Sequence, residues 1–273
     1  MKSILILTDF SDAAFHAAEY ACALATQMQC EKVVLYHAYR SFVPTTDLPV
    51  SPVKDSGQLG RESLLLLEKL AERLQGKLPG DTEIILRTDD VVLPESLNEI
   101  CRREGTELVA MGITGKSRLE KMLIGSTAID VLKSSDYPVL LVPPAASIAA
   151  VKHIIFTTDL DDTAEDTPLP LLEQLFGSLQ AQLWVLNVTP PDKGYDPETK
   201  NQLATLHALL DRFAPAYEFI DEHDVVRGIM GFAQQKDTSL IVMVHKDQGL
   251  FHSSITQKLA YRTLTPVITF RQR

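Results

Sequence analysis

The residues best suited to chemistry lie between Val109 and Thr127, in the stretch V-A-M-G-I-T-G-K-S-R-L-E-K-M-L-I-G-S-T. Gly112 and Gly115 interrupt an apolar run, and a helical pattern restarts at Gly125-Ser126-Thr127. Glycines let backbone N–H groups come close to a phosphate. The first N–H groups of a helix lack intrahelical partners, and the helix dipole favours negative charge there. Ser126 and Thr127 add two hydroxyl donors at the same place. Such a set describes an anion cradle. The competing reading is an ordinary strand-to-helix turn with incidental glycines.

Two familiar phosphate motifs are excluded. Gly115-Lys116-Ser117 ends like a Walker A loop, but only two residues separate Gly112 from Gly115 where four are needed, and Ala110 stands where the first glycine should be. No G-x-G-x-x-G fingerprint is present either. The spacing is G-x2-G-x9-G-S.

The elements that must hold this stretch follow from hydrophobic periodicity. Apolar runs predict strands at Ile4–Leu7, Val33–Tyr36, Ile84–Leu86, Leu108–Met111 and Pro138–Val142. Helical patterns fall between them at 13–28, 61–78, 93–104 and 127–133. Strict alternation predicts a parallel sheet with right-handed crossovers. Asp9 ends the first strand, on the edge where open α/β sheets take ligands. Ser11 or Asp12 is expected to cap the helix that follows. Residues 41–60 hold three prolines and two glycines without periodicity, which predicts a mobile flap over the sheet edge.

The pattern restarts after a linker at Pro143–Ala150. Ile154–Asp159 repeats Ile4–Asp9, Leu183–Asn187 repeats Val33–His37, Leu240–Met243 repeats Leu108–Met111, and Pro266–Phe270 repeats Pro138–Val142. The offset falls from 150 to 132 and then to 128 residues. The second copy has therefore lost residues, expected mainly from the flap, and four more from the loop that carries the glycines. This is an internal duplication of one βα unit.

Composition bounds the rest. The 273 residues suit two domains, 1–146 and 147–273. A 45% hydrophobic content with mean hydropathy near zero describes a soluble globular chain. No apolar run reaches the ~20 residues of a membrane span, and the first residues read as a strand rather than a signal peptide. Cys22, Cys30 and Cys101 are unclustered and fit buried thiols in a reducing cytoplasm. The net charge of −10 is shared evenly: 15 basic and 20 acidic side chains in 1–146, 11 and 16 in 147–273. Without a basic stripe, nucleic-acid binding is not the expected role.

The glycine spacing, in its strand–loop–helix setting and within a duplicated βα chain, resembles the nucleotide-binding signature of the universal stress protein family. The resemblance spans nearly the whole chain. It implies two tandem Rossmann-like domains similar to the adenine nucleotide alpha hydrolases, each a five-stranded parallel sheet flanked by helices. It implies ATP, or AMP or ADP, bound with Mg²⁺. Carried over by position, Asp9 and Ala38 lie beside adenine and ribose, Met111, Gly112 and Gly115 line ribose and phosphate, and Gly125, Ser126 and Thr127 hold the phosphates. The second domain departs from the pattern. Val244 replaces Gly112, Ser253 falls where Gly125 stands, and only Gly249 remains in the loop, so no ATP is expected there. Asp159 and Ser254 persist at the places of Asp9 and Ser126. Family domains pair as dimers through the fifth strand, which here implies an internal pairing of Val139–Val142 with Val267–Phe270 and leaves a homodimer open.

Several residues keep a plain reading beside a functional one. Lys116, Arg118 and Lys121 are either phosphate contacts or a solvated face. His37 is expected to be a hydrogen-bonded structural histidine. His245, His252 and Asp247 lack metal-ligand spacing. Asp9 has no second carboxylate to form an acid–base pair. Phosphoryl transfer needs a positioned nucleophile and a charge clamp, and the sequence offers only the cradle. The expectation is a nucleotide-binding regulatory protein of the stress response, acting in the cytoplasm on an unidentified protein partner. The alternatives are a weak ATP hydrolase or phosphotransferase, and an interaction module without nucleotide.

Overall fold

The computed structural model describes residues 1–41, 55–113, 126–160, 169–191, 199–245 and 253–271. The chain begins with β1 (Ser3–Leu7), buried at every position. Helix α1 (Asp12–Gln27) follows, and the Ser11 hydroxyl accepts the Ala14 N–H at 3.2 Å as its cap. Then come β2 (Lys32–Tyr39), α2 (Ser56–Gln75), β3 (Glu83–Asp90), α3 (Leu93–Glu104), β4 (Leu108–Gly112), α4 (Ser126–Ser134) and β5 (Val139–Val142). Helix α3 carries Pro94 in its first turn and stops at Gly105, whose φ of 60° is the left-handed geometry of a helix end.

The same order returns: β6 (His153–Thr157), α5 (Leu169–Leu179), β7 (Gln182–Thr189), α6 (Thr199–Leu210), β8 (Ala216–Asp221), α7 (Val225–Gln235), β9 (Leu240–His245), α8 (Ser253–Arg262) and β10 (Val267–Arg271). The ten strands form one sheet in the order β3-β2-β1-β4-β5-β10-β9-β6-β7-β8. Every neighbouring pair is parallel except β5 with β10, where Leu141 faces Val267 and Val139 faces Thr269 in antiparallel register. Registers repeat between the halves. Ile4 pairs with Val33 as Ile154 pairs with Leu183, and Gly112 pairs with Val142 as Val244 pairs with Phe270.

Two expectations about element lengths change. Helix α2 starts at Ser56, so residues 56–60 of the expected flap are its first turns, and residues 42–54 lie outside the described residues. The Asp55 carboxylate caps this helix, accepting the Gln58 N–H at 2.6 Å. The shortening of the second copy is also shared differently from the expectation. Helix α6 has 12 residues where α2 has 20, so a large part of the loss lies in the helix itself.

The strands carry apolar side chains on both faces because helices cover both. On one face a single buried cluster runs through both halves, from Ile4, Ala17 and Leu35 to Ile154, Phe176 and Ile268. On the other face each half has its own cluster, and Ala260 of α8 crosses over to pack in the cluster of the first half.

Candidate functional site

The strand order turns back between β1 and β4, which makes their carboxyl ends a topological switch point. A cleft of about 480 Å³ opens there. Its walls are the β1–α1 turn, the ends of β2 and β4, the segment Val91–Pro94, and the first turn of α4. Asp9, Ala38, Met111, Gly112, Ser126 and Thr127, the described members of the set carried over by position from the family resemblance, all line it. Gly115 and Gly125 lie outside the described residues, as do Lys116, Arg118 and Lys121.

The β1–α1 turn is built by short polar bonds. The Asp9 carboxylate is exposed, and its Oδ1 accepts the Ser11 N–H at 3.0 Å. The Thr8 hydroxyl accepts the Phe10 N–H at 3.0 Å and holds Phe10 at a φ of 62°. A bulky residue in the left-handed region is costly, so the turn around it must be well determined. His37 helps determine it: its Nδ1–H donates to the Thr8 carbonyl at 2.7 Å, and its ring lies 4.5 Å from the Phe10 ring. This is the structural histidine expected from sequence.

Gly112 has a role that the phosphate argument does not give. A Cβ there would stand 2.6 Å from the Ala13 carbonyl oxygen in the first turn of α1. The absent side chain lets α1 press directly on the end of β4. The two walls of the cleft therefore touch backbone to backbone.

Residues that the spacing did not reveal also shape the cleft. Tyr36 lines its floor and is fully buried, and its hydroxyl donates to Asp89 Oδ2 at 3.0 Å. Arg103 donates to the same carboxylate oxygen at 2.7 Å and to Glu104 Oε1 at 3.0 Å, and Arg87 also donates to Glu104 at 3.0 Å. Burial, followed by the Asp89 charge, pushes the Tyr36 phenol well above its ordinary range, so it stays a neutral donor. Arg40 brings a positive charge to the rim. At the outer end of β3, Asp90 accepts from the Ser41 N–H at 3.0 Å and from the Ser41 hydroxyl. The Ser41 bonds and a further one from Ser56 hold the Asp90 carboxyl below the usual value.

The second half rebuilds the turn with a different residue. Asn187 stands in the place of His37 and donates to the Thr158 carbonyl at 2.9 Å. The Thr158 hydroxyl accepts the Leu160 N–H at 3.1 Å, and Leu160 has a φ of 60°. Val244 stands in the place of Gly112 and is buried.

The family model described as the universal stress protein family matches residues 1–143. The chain belongs to the universal stress protein family. Two universal stress proteins of Methanocaldococcus jannaschii are similar to it. One is 31% identical over 149 residues, covering 52% of this chain and 81% of the relative. The other is 28% identical over 155 residues, covering 52% of this chain and 94% of the relative. A solved universal stress protein from Archaeoglobus fulgidus matches 99% of this chain and 96% of its own, with a TM-score of 0.70 and 15% identity. That likeness shows a common fold across both halves. No helix among the described residues is long and apolar enough to cross a membrane.

Proposed function

We propose that this universal stress protein binds an adenine nucleotide, ATP in the first instance, in the cleft of its first half, and that the occupied state is read by a protein partner in the stress response. The observation that carries the reading is the convergence of Asp9, Ala38, Met111, Gly112, Ser126 and Thr127 on one cleft at the switch point. Its volume lies within the ~300–1,000 Å³ of small-molecule sites. The chemistry of the walls suits a nucleotide. The first turn of α4 presents the exposed Ser126 and Thr127 hydroxyls beside backbone N–H groups that a helix start leaves without a partner inside the helix. The opposite side offers the Asp9 carboxylate, the apolar Met111 and the edge of β2 to a base and sugar. Mg²⁺ belongs to the proposal as the counter-ion that a bound triphosphate brings.

The first 146 residues act as the nucleotide-binding domain and residues 147–273 as a second domain with a degenerate site. The buried Val244 side chain at the position of Gly112 supports one nucleotide per chain. Denaturing the purified protein and counting released adenine nucleotide by chromatography and mass spectrometry tests this. About one per chain is expected. Two per chain would refute the reading of Val244. None, with no uptake of added ATP, would refute the nucleotide site. Gly125→Asp, which places a carboxylate where phosphate is expected, should abolish binding and leave the fold intact.

A further inference from the structure

Two of the helices that wall the cleft are held at their far ends by the second half. Helix α1 begins at the cleft, where Ser11, Ala13 and Ala14 line it. It ends 16 residues on at Gln27, about 24 Å away at 1.5 Å per residue. There the Gln27 side chain donates to the Val151 carbonyl at 2.8 Å and to the Leu179 carbonyl at 2.9 Å, and it accepts the Val151 N–H at 2.7 Å. Midway along, the buried Tyr20 donates its hydroxyl to the Ser239 carbonyl at 3.3 Å. Helix α4 begins at the cleft with Ser126 and Thr127, and Arg271 of β10 donates to the Lys133 carbonyl near its other end at 3.0 Å.

Helix α1 has little slack at the cleft. Alanines at 14, 17, 18, 21 and 25 pack its buried face close to the sheet. The Ala13 carbonyl sits where a Cβ on Gly112 would collide. A close-packed helix moves as a body rather than by local yielding. A shift of its distal end therefore displaces the cleft wall, and a shift of the wall displaces Val151 and Leu179.

Building on the nucleotide reading of the cleft, we infer that Gln27 is a positioning residue for that site: through α1, the second half sets the nucleotide affinity of the first, and nucleotide in turn orders the second half at Val151. Such coupling is reciprocal. A partner bound to the second half would change nucleotide affinity by the same factor that nucleotide changes the partner's. This gives the second half a task that does not need a nucleotide of its own.

The test uses the full chain, with Mg-ATP as the probe. Affinity is measured by calorimetry, and amide hydrogen exchange is followed at 148–156 with and without ATP. The Val151 amide reports directly, because Gln27 is its acceptor. In the wild type, ATP should slow exchange at Val151. Gln27→Met keeps the side-chain length and removes all three bonds; it should weaken ATP binding by about fivefold or more and abolish the response at Val151. Tyr20→Phe removes a single hydroxyl and should shift affinity in the same direction, so it decides the matter if Gln27→Met does not fold. Wild-type binding of ATP with unchanged exchange at Val151, or full affinity in the variant that folds, would overturn the inference and leave the cleft reading standing. Absence of any ATP binding by the wild type would overturn both.

Discussion

Gly112 has two separate reasons to be glycine, one read from spacing and one from packing. The spacing placed it at a phosphate cradle, while the structure puts its missing side chain against the Ala13 carbonyl. Gly112→Val is expected to destabilise the chain by roughly 1–3 kcal/mol through overpacking, read as a lower urea midpoint, and to weaken ATP binding because α1 must move outward. An unchanged midpoint would mean the contact relaxes freely. His37 offers a second case, because the repeat has already made the substitution. Asn187 donates to the Thr158 carbonyl as His37 donates to that of Thr8. His37→Asn should therefore retain stability, whereas His37→Ala should lose about 1 kcal/mol with the bond. Equal losses in the two variants would show that the ring contact with Phe10, and not the hydrogen bond, holds the turn. Asp9, Ser126 and Thr127 stood out because each sits where a strongly periodic element ends or begins, whereas Ala38 and Met111 came only with the family resemblance. The Tyr36–Asp89–Arg103 set was not, since its members meet only when β3 and α3 pack beside β2.

At the level of elements, the strands were legible in type and order, and α2 was not legible in extent. Gly57 and Gly60 read as breakers because glycine in a helix costs about 1 kcal/mol against alanine. They are tolerated here because the Asp55 cap and the buried Ser63, Leu67, Leu70 and Leu74 face outweigh that cost. Gly60 also has a packing reason, since a Cβ there would come within 2.8 Å of the Tyr39 hydroxyl. Asp55→Ala should cost about 1 kcal/mol, measured by urea unfolding; no change would mean the helix start is held by packing alone. Asp90 ties this element to the previous one, accepting from Ser41 after β2 and from Ser56 at the start of α2. Its folded pKa is depressed by those bonds, so its stabilising contribution is complete above the unfolded value of about 3.9. That contribution is lost as pH falls through the folded value. An NMR titration of the Asp90 carboxyl should show a midpoint below the ordinary aspartate value, moving part of the way back up in Ser41→Ala/Ser56→Ala, which keeps the Ser41 N–H bond but loses both hydroxyl bonds. A wild-type midpoint at the ordinary value would remove the clamp.

At the level of the whole molecule, the duplication was readable in the offsets, and the registers of β1–β2 and β6–β7 repeat it pair for pair. The offsets could not say how far the two copies share a core. That depends on which helices meet across the β5–β10 pair. On one face, α1 and α5 bring Tyr20, Leu24, Leu175 and Leu179 into a single buried cluster. The antiparallel pair β5–β10 runs through the middle of it and covers the two strand edges that would otherwise template association. Exposing this shared face would return many buried apolar side chains to water, each worth about 1.5–3 kcal/mol. One half is thus not expected to survive the unfolding of the other. The full chain should melt in a single calorimetric transition whose van't Hoff and calorimetric enthalpies agree. Saturating ATP should raise that one midpoint by mass action rather than split the transition. Two transitions, with ATP shifting only one, would instead describe independent modules joined by a strand pair, and α1 would then carry no signal between them.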